Sequence, residues 1–253
     1  MSLEGKVALV TGASGGIGRA ICRRLARDGA RVVAHYRSSR EAAAKTLAEL
    51  DGNHHEVVRA DLTDAGAVKA MISEAVDKTG RLDVLVNNAG IYELHSPLET
   101  SYEEWQDHWR RTLETNLVGP ANAAWCAARV MNRQGGGGRI VNVGSRGAFR
   151  GEPRAPAYGA SKAGLHALSQ SLALALAPQG ISVFAVAPGF VETAMARPYL
   201  TGEEAEAIRN QSPLKRVATA DDVAYWVSCL AAPDAAFATG AIIDVNGASY
   251  LRT

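Results

Sequence analysis

Short apolar runs rich in β-branched residues recur along this chain and alternate with stretches of helical character. The seven runs are KVALV (6–10), RVVAH (31–35), HEVVR (55–59), LDVLV (82–86), RIVNV (139–143), ISVFAV (181–186) and AIIDV (241–245). The predicted helices cover residues 16–28, 40–50, 64–79, 102–131, 156–177 and 220–230. Apolar runs of this kind are typical of parallel strands that are buried on both faces. The alternation therefore predicts a Rossmann-type α/β fold, a doubly wound parallel sheet of about seven strands with helices on both faces.

The length of 253 residues fits one domain with a single core, and no Pro-, Gly- or Ser-rich linker divides the chain. We therefore expect residues 1–253 to form one domain. Lys and Arg total 27 against 26 for Asp and Glu, which gives a net charge of +1. Such a balance creates no field that would gather nucleic acid or an anionic membrane, so neither is predicted as a partner.

The first residues, MSLEGKVALV, lack the basic start and long apolar stretch of a signal peptide, and no apolar run approaches 18 residues. We therefore expect a cytoplasmic protein. Three cysteines, Cys22, Cys126 and Cys229, are odd in number and far apart, which argues against a disulfide framework. No histidine stands in an H-E-x-x-H motif, and no metal site is predicted.

Ligands of doubly wound sheets bind beyond the carboxyl ends of the strands. The segment TGASGGIG (11–18) follows the first predicted strand and opens the first predicted helix. A backbone without side chains at this point lets a pyrophosphate reach the amides and the positive dipole at the helix start. The alternative is an ordinary glycine-rich turn, which the flanking strand and helix disfavour. The predicted dinucleotide-binding residues are Gly12, Ser14, Gly15, Gly16, Ile17 and Gly18.

Tyr158 and Lys162 stand four residues apart in AYGASKAG (157–164), so a helix places them on one face. With 7 Tyr and 6 Lys in the chain, random placement gives roughly 0.2 such pairs. By itself the spacing favours a tyrosine that packs on a lysine stem. Other motifs must decide between packing and catalysis.

The glycine loop, NNAG (87–90), Ser145 after the fifth strand and the Tyr-x-x-x-Lys pair occur together in one order. In this order and spacing the chain resembles the short-chain dehydrogenase/reductase family from Lys6 to about Gly247. The resemblance implies that Tyr158 exchanges a proton with the substrate oxygen. Lys162 would lower the pKa of Tyr158 and hold the nicotinamide ribose. Ser145 would position the carbonyl or hydroxyl, and Asn116 would support a water relay to the lysine.

Simple electrostatics agrees with these roles. A free phenol has a pKa of about 10 and is a poor base at neutral pH. A cation about 4 Å away, at an effective dielectric constant of about 20, contributes about 4 kcal/mol before desolvation, which lowers the pKa by up to about three units. We therefore expect Lys162 to bring Tyr158 toward a pKa at which acid and base catalysis are both feasible.

The resemblance also implies a nicotinamide cofactor. The residues expected beside it are Asp61 and Leu62 at the adenine, then Asn88, Ala89 and Gly90, and Pro188, Gly189, Val191 and Thr193 at the nicotinamide. After the second strand, Tyr36 stands where an acid would bind the ribose of NAD, and Arg37 and Ser38 follow. This pattern favours NADP(H). Gly15 stands where many NADP-dependent relatives carry a basic residue, so NAD(H) stays possible.

Three arginines, Arg146, Arg150 and Arg154, lie between Ser145 and Tyr158. They either favour an anionic or carrier-bound substrate or are solvated loop charges and subunit contacts. PGFVETAM and TGAIIDVNGASY resemble the 3-oxoacyl-carrier-protein reductase branch of the family, which implies a 3-oxoacyl thioester substrate. The alternatives are another ketone or alcohol, such as a sugar, steroid or quinone, and a non-catalytic NADP(H)-sensing protein.

Residues 194–211 occupy the position of the family's substrate lid, with Tyr199 and Leu200 as candidate apolar contacts. Lid closure would exclude water from the reaction. The family forms dimers or tetramers through the long helices near 102–131 and 156–177. We expect a homotetramer.

Overall fold

Each of the seven predicted apolar runs forms a strand in the computed structural model, which describes residues 2–252. The strands are β1 (Val7–Val10), β2 (Arg31–Tyr36), β3 (Glu56–Arg59), β4 (Val84–Asn87), β5 (Gly138–Val143), β6 (Ile181–Pro188) and β7 (Ile242–Val245). All are parallel, in the order β3-β2-β1-β4-β5-β6-β7. The prediction of a doubly wound sheet is confirmed. The described residues form a single domain, and residues 1 and 253 of the predicted domain lie outside them.

Helices cover both faces of this sheet. They are α1 (Gly16–Arg27), α2 (Arg40–Leu47), α3 (Ala65–Thr79), α4 (Tyr102–Leu113), α5 (Gly119–Gln134), α6 (Gly147–Arg150), α7 (Pro156–Leu176), α8 (Arg197–Leu200), α9 (Ala205–Asn210) and α10 (Ala220–Ala231). One core lies between the sheet and the buried faces of α1 and α10, which present Leu25 and Val227. A second core lies on the opposite face, where α3 and α5 present Met71 and Met131. Two cores on one sheet place the strand ends, and the loops that follow them, at a common edge.

The predicted continuous helix over residues 102–131 is wrong. The chain forms α4, then a π-helical turn at Glu114–Val118, and then α5. Pro120 has no backbone N–H, so it cannot donate to the carbonyl of Asn116 four residues earlier as an α-helix requires. Gly119 also packs closely on β3's following loop, since a Cβ on it would lie 2.6 Å from the carbonyl oxygen of Leu62. The break places Asn116 at a distortion of a kind often found at functional sites.

Other helix ends differ less from the prediction. The second helix ends at Leu47, three residues before the predicted residue 50, and the remaining predicted boundaries agree to within three residues. Among residues 2–252, no helix is both long and apolar enough to span a bilayer. No three His, Cys, Asp or Glu side chains of this same part of the chain come together as metal ligands do.

Candidate active site

A cavity of about 550 Å³ lies at the carboxyl edge of the sheet, where the loops after six of the strands meet. The predicted site residues that line it are Gly12, Ser14, Gly15, Gly16, Ile17, Arg37, Ser38, Asp61, Leu62, Asn88, Ala89, Gly90, Ser145, Tyr158, Lys162, Pro188, Gly189, Val191 and Thr193. Three predicted residues, Gly18, Tyr36 and Asn116, do not line it. The sheet therefore brings together residues from both halves of the sequence.

The glycine loop is fastened to the loop after β4. Gly12 has a φ of +65°, and a Cβ on it would lie 2.9 Å from the Cα of Ala89. The Asn88 side-chain amide donates to the Thr11 carbonyl at 2.8 Å, while the Thr11 hydroxyl accepts from the backbone N–H of Asn88 at 2.9 Å. Only a residue without a side chain fits at Gly12, because a side chain would collide with Ala89. The contact and the hydrogen bonds therefore hold the loop in one backbone conformation.

The start of α1 faces the cavity without a side chain in the way. Gly15 is the N-cap, no side chain caps the helix, and a Cβ on Gly15 would meet nothing within 4 Å. The first N–H groups of an uncapped helix suit the phosphates of a dinucleotide. Gly18 has a different task, because its Cβ would lie 2.2 Å from the carbonyl oxygen of Gly12. It allows α1 to pack on the loop, as the last glycine of such loops does.

His35, and not the predicted Tyr36, lines the cavity at the end of β2. Neighbouring residues of a strand point to opposite faces, and it is His35 that lines the cavity. Its Nδ1 accepts from the Gly12 N–H at 3.1 Å, and its Nε2 lies 3.1 Å from the carbonyl oxygen of Ala60. Burial lowers the pKa of His35, which keeps its ring neutral and able to accept.

Arg37, Ser38 and Asp61 line the far end of the cavity from Tyr158. Arg37 is exposed, and among the described residues no carboxylate lies within ion-pair distance of it. Asp61 accepts hydrogen bonds from the Thr63 N–H at 3.0 Å and the Thr63 hydroxyl at 2.8 Å. These bonds, with a smaller contribution from Arg37, lower the pKa of Asp61. This end of the cavity therefore carries a cation without an ion-pair partner among the described residues, Arg37, and an anion that hydrogen bonds hold in place, Asp61.

Ser145, Tyr158 and Lys162 lie at the other end. Lys162 is 4% exposed, and its Nζ donates to the Val143 carbonyl at 2.8 Å and lies 5.7 Å from the centre of the Tyr158 ring. The Ser145 hydroxyl accepts from the Gly147 N–H at 3.0 Å. The ammonium and the phenol thus share one face of α7, beside Ser145, the predicted catalytic serine.

The expected lowering of the Tyr158 pKa is not what the structure gives. Burial raises the pKa of Tyr158 to about 12, although a hydrogen bond with Ser145 acts in the opposite direction and Glu152 adds to the rise. Burial also lowers the pKa of Lys162 to about 8. Both groups lose hydration, which penalises their charged forms, and in this arrangement desolvation exceeds the attraction that the electrostatic argument considered.

Asn116 supports the site from behind. Its Oδ1 accepts from the Ile91 N–H at 2.8 Å, and its Nδ2 donates to the Ile91 carbonyl at 2.9 Å and to the Ser161 hydroxyl at 3.3 Å. A Cβ on Gly90 would lie 3.2 Å from Asn116 Oδ1 and 3.5 Å from Lys162 Nζ. Asn116 therefore connects the NNAG loop to α7 without touching the cavity itself.

Several lining residues were not predicted, and most of them lie at the Tyr158 end. They are His35, Ile91, Tyr92, Thr115, Val143, Gly144, Glu152 and Phe190, together with Ala194, Met195 and Ala196 inside the predicted lid. The rings of Tyr92 and Tyr158 meet edge to face, with their centroids 4.9 Å apart. The centroid of the Tyr199 ring lies 6.2 Å from those of both Tyr92 and Phe190. The available signal was the position of two aromatic residues in the sequence: Tyr92 stands two residues after NNAG, and Phe190 directly follows Pro188-Gly189. Tyr199 lines the cavity as the lid hypothesis requires, but Leu200 does not.

The three arginines have separate environments. Arg146 is 5% exposed and lines the cavity; its guanidinium bonds to the Ser249 hydroxyl and, at 2.6 Å, to Gln211 Oε1. Burial lowers the pKa of Arg146 to about 10. Arg150 is exposed and also donates to Gln211, at 3.2 Å. Arg154 is exposed and outside the cavity lining.

Comparison with known proteins agrees with this geometry. A family model described as Enoyl-(Acyl carrier protein) reductase matches residues 12–248. The chain is 41% identical over 248 residues to a 3-oxoacyl-[acyl-carrier-protein] reductase of Staphylococcus aureus, covering 97% of this chain and 98% of that protein. It is 38% identical over 251 residues to the protein of that name from Escherichia coli K12, covering 99% and 100%.

Solved structures give the same result. A dehydrogenase/reductase from Sinorhizobium meliloti 1021 superimposes with a TM-score of 0.90 at 37% identity, covering 99% of this chain and 97% of that one. Identity at this level over the whole length, with the same fold, is sufficient to assign the family. The chain belongs to the short-chain dehydrogenase/reductase family and is an oxidoreductase.

Proposed function

We propose that this protein is an NADP(H)-dependent carbonyl reductase or alcohol dehydrogenase in which Tyr158 acts as general acid and base. One observation carries the proposal: Ser145, Tyr158 and Lys162 line the same cavity as the uncapped start of α1. The glycine loop would hold the pyrophosphate, and Asn88, Ala89 and Thr193 would lie along the rest of the dinucleotide. When bound, the nicotinamide supplies or accepts the hydride.

In the reducing direction Tyr158 donates the proton that the carbonyl oxygen gains as its carbon receives the hydride. The raised pKa of Tyr158 keeps the phenol protonated at neutral pH, which is the state this direction needs. The Lys162 ammonium stabilises the phenolate left behind. Ser145 orients the carbonyl by a hydrogen bond, and water then returns a proton to Tyr158 by the relay that Asn116 supports.

Two substrate classes have support. The relatives named 3-oxoacyl-[acyl-carrier-protein] reductase favour a 3-oxoacyl thioester. The aromatic residues Tyr92, Phe190 and Tyr199 at the Tyr158 end of the cavity favour a compact ketone or alcohol. A non-catalytic NADP(H) sensor has less support, because it needs no Ser145, Tyr158 or Lys162.

Tyr158→Phe tests the mechanism. The variant keeps the ring and loses the proton, so kcat/KM should fall by at least about 10³-fold while the NADPH affinity stays unchanged. Carbonyl reduction is measured by NADPH absorbance and binding by NADPH fluorescence, with Tyr102→Phe as a matched control, since Tyr102 is 72% exposed and outside the cavity. Turnover retained in Tyr158→Phe contradicts the proposal.

Parallel titrations with NADPH and NADH test the cofactor. Arg37 is the exposed cation at the adenine end, and a 2′-phosphate should bind it. We expect NADPH to bind at least about tenfold more tightly, and Arg37→Asp to reverse this order. Tighter NADH binding by the unaltered protein contradicts the assignment.

We also infer that residues 194–211 close over the substrate, because Ala194, Met195, Ala196 and Tyr199 line the cavity, and that the protein is a cytoplasmic homotetramer. Exposed apolar residues support the assembly: Val118 is 48% exposed, Trp125 61% and Leu174 83%, on the π turn, α5 and α7. Sedimentation of a stable monomer contradicts the tetramer.

A further inference from the structure

Glu152 is a carboxylate on the wall of the cavity, beside the residues proposed to react. Its side chain packs over Gly147, where a Cβ would lie 2.4 Å from Glu152 Oε1. Gly159 lies on the other side, where a Cβ would make an ordinary contact with Glu152 Cβ at 3.6 Å. The Gly147 N–H is bonded to the Ser145 hydroxyl at 3.0 Å. Gly147 thus makes space for a carboxylate next to Ser145.

The neighbouring arginines do not pair with this carboxylate. Arg146 is occupied by Ser249 and Gln211, and Arg150 donates to Gln211. Within residues 2–252, no ion pair or side-chain hydrogen bond of Glu152 is formed. Half-buried charged groups usually have a partner, because leaving water without one is costly. Because Glu152 lines the cavity, a ligand bound there can supply this partner.

Two nearby guanidiniums favour the charged form of Glu152, against the effect of its burial. Burial raises the pKa of its carboxyl, and the Arg150 and Arg146 guanidiniums act against this. The aromatic rings of Tyr92, Phe190 and Tyr199 bound the same space. A carboxylate among aromatic rings suits a ligand group that donates hydrogen bonds, including a cationic one.

We propose that Glu152 selects carbonyl substrates that carry a hydrogen-bond donor, a hydroxyl or an ammonium group, next to the reacting carbonyl. This inference rests on the proposed function, in which Ser145 holds the carbonyl oxygen. A 3-oxoacyl thioester presents only carbonyl acceptors near its reacting carbon, and two acceptors facing each other are unfavourable. The inference therefore predicts that small hydroxy or amino ketones are better substrates than 3-oxoacyl thioesters.

The test compares 1-hydroxybutan-2-one with pentan-3-one, in which a methyl group replaces the hydroxyl. The ratio of their kcat/KM values is measured with NADPH in the unaltered protein, Glu152→Gln and Glu152→Leu. We expect Glu152→Leu to lower the ratio by roughly 10- to 100-fold through loss of turnover of the hydroxy ketone alone. Because each ratio is compared between variants, the higher intrinsic reactivity of hydroxy ketones cancels.

Two further substrates separate the sources of the effect. In Glu152→Gln, kcat/KM should fall more for protonated 1-aminobutan-2-one than for the hydroxy ketone, since that variant removes the charge and keeps an acceptor oxygen. Acetoacetyl-coenzyme A should be a poorer substrate than the hydroxy ketone in the unaltered protein and should improve in Glu152→Gln. Glu99→Gln is the matched control, because Glu99 is exposed and outside the cavity lining.

The outcomes distinguish the two proposals. In one outcome, all ketones are reduced, and the ratio of kcat/KM for the hydroxy ketone to kcat/KM for its methyl analogue is the same in the unaltered protein and in both variants. This outcome overturns the role of Glu152 and leaves the proposed function standing. A preference for acetoacetyl-coenzyme A in the unaltered protein overturns it as well. Absence of any turnover, despite NADPH binding, rejects the proposed function. In that case the role of Glu152 is tested by calorimetry, which measures how tightly each of the two ketones binds to the NADPH-loaded protein. Equal affinities overturn the role of Glu152.

Discussion

The two ends of the cavity are each supported by one buried histidine, yet they differ in how much the fold determines them. At the cofactor end, His35 connects the N–H of Gly12 to the carbonyl of Ala60. At the substrate end, His95 Nε2 accepts from the Ala157 N–H at 3.1 Å and its Nδ1 lies 2.9 Å from the Glu93 carbonyl. His35 joins loops that directly follow strands, whereas His95 joins the longer loop after β4 to the start of α7.

The groups around the two histidines show what this difference means. The cofactor end is closed by backbone against backbone, as in the contact between Gly18 and the Gly12 carbonyl. The substrate end is formed by side chains that have room to move, such as Glu152 and the 54% exposed Met195. Parallel strands fix the first arrangement for any chain that folds in this way. Loops and side chains determine the second, so substrate choice can change without changing the fold.

The largest effect should follow from adding one methyl group at the cofactor end. In Gly18→Ala the new Cβ would lie 2.2 Å from a backbone oxygen of Gly12 and 2.7 Å from Asn88 Nδ2, and neither can move without the loop. We expect the free energy of unfolding to fall by about 3 kcal/mol, and NADPH affinity to fall by at least about 100-fold because the loop is displaced. Gly15→Ala, whose Cβ meets nothing within 4 Å, should leave the free energy of unfolding nearly unchanged. Denaturant unfolding and NADPH titration measure both, and equal stability losses would contradict the comparison.

Acid pH should act on α7 as well as on the glycine loop, where burial also lowers the pKa of His35. His166, on the helix turn after Lys162, is 3% exposed, and neither ring nitrogen has a partner among residues 2–252. Burial lowers its pKa to about 4 from 6.5. Between these values the unfolded chain binds a proton that the folded chain does not, so the free energy of unfolding falls as pH falls through this window and is unaffected above it. The free energy of unfolding should be lower by about 3 kcal/mol near pH 4 than above this window.

The variant His166→Leu isolates this contribution. It should make the free energy of unfolding less dependent on pH between about 6.5 and 4, while stability above pH 7 is retained or improved, since a buried polar group is removed. Urea unfolding at several pH values measures the slope. An unchanged slope in the variant would assign the acid sensitivity to other groups.

The same difference between the two ends explains what the sequence could predict. The strands and the glycine loop were predictable because burial on both faces requires continuous apolar runs, and because a close backbone contact requires glycine. Tyr36 was expected at the cavity because it stands where an acid would bind the ribose of NAD. The sequence alone does not give the phase of the strand, which decides the side that each residue faces and depends on the neighbouring strands.

The substrate end was less predictable for physical reasons. The π turn at Asn116 depends on Pro120 and on the packing of Gly119 against Leu62, which a helical pattern does not reveal. Glu152 stands in a loop without periodicity, and its position depends on Gly147 and on arginines that bond elsewhere. The expected direction of the Tyr158 pKa was wrong because the argument counted the nearby cation before the extent of burial was known.

A moderate effect should follow from removing His95. Since Ala157 donates to Nε2, the hydrogen of the ring lies on Nδ1, and His95→Ala leaves the buried N–H of Ala157 at the start of α7 without an acceptor. We expect a loss of about 2 kcal/mol in stability and a tenfold or smaller decrease in kcat with unchanged NADPH affinity, because Tyr158 is the next residue. His95→Gln, whose amide oxygen can accept, should restore part of kcat. If NADPH affinity fell by the same factor as kcat, the cofactor end and the substrate end of the cavity would not be independent.

The smallest stability effect, and the closest test of the comparison, comes from Gly147→Ala. The added Cβ would lie as close to an atom as in Gly18→Ala, at 2.4 Å, but that atom is Glu152 Oε1, the end of a flexible side chain. The carboxylate can swing aside, so the free energy of unfolding should change by less than about 1 kcal/mol. Because the carboxylate is displaced, the preference for 1-hydroxybutan-2-one over pentan-3-one should fall toward that of Glu152→Leu. A stability loss as large as that of Gly18→Ala would show that the substrate end is as rigid as the cofactor end, since the same added atom would then have met an obstacle that cannot move.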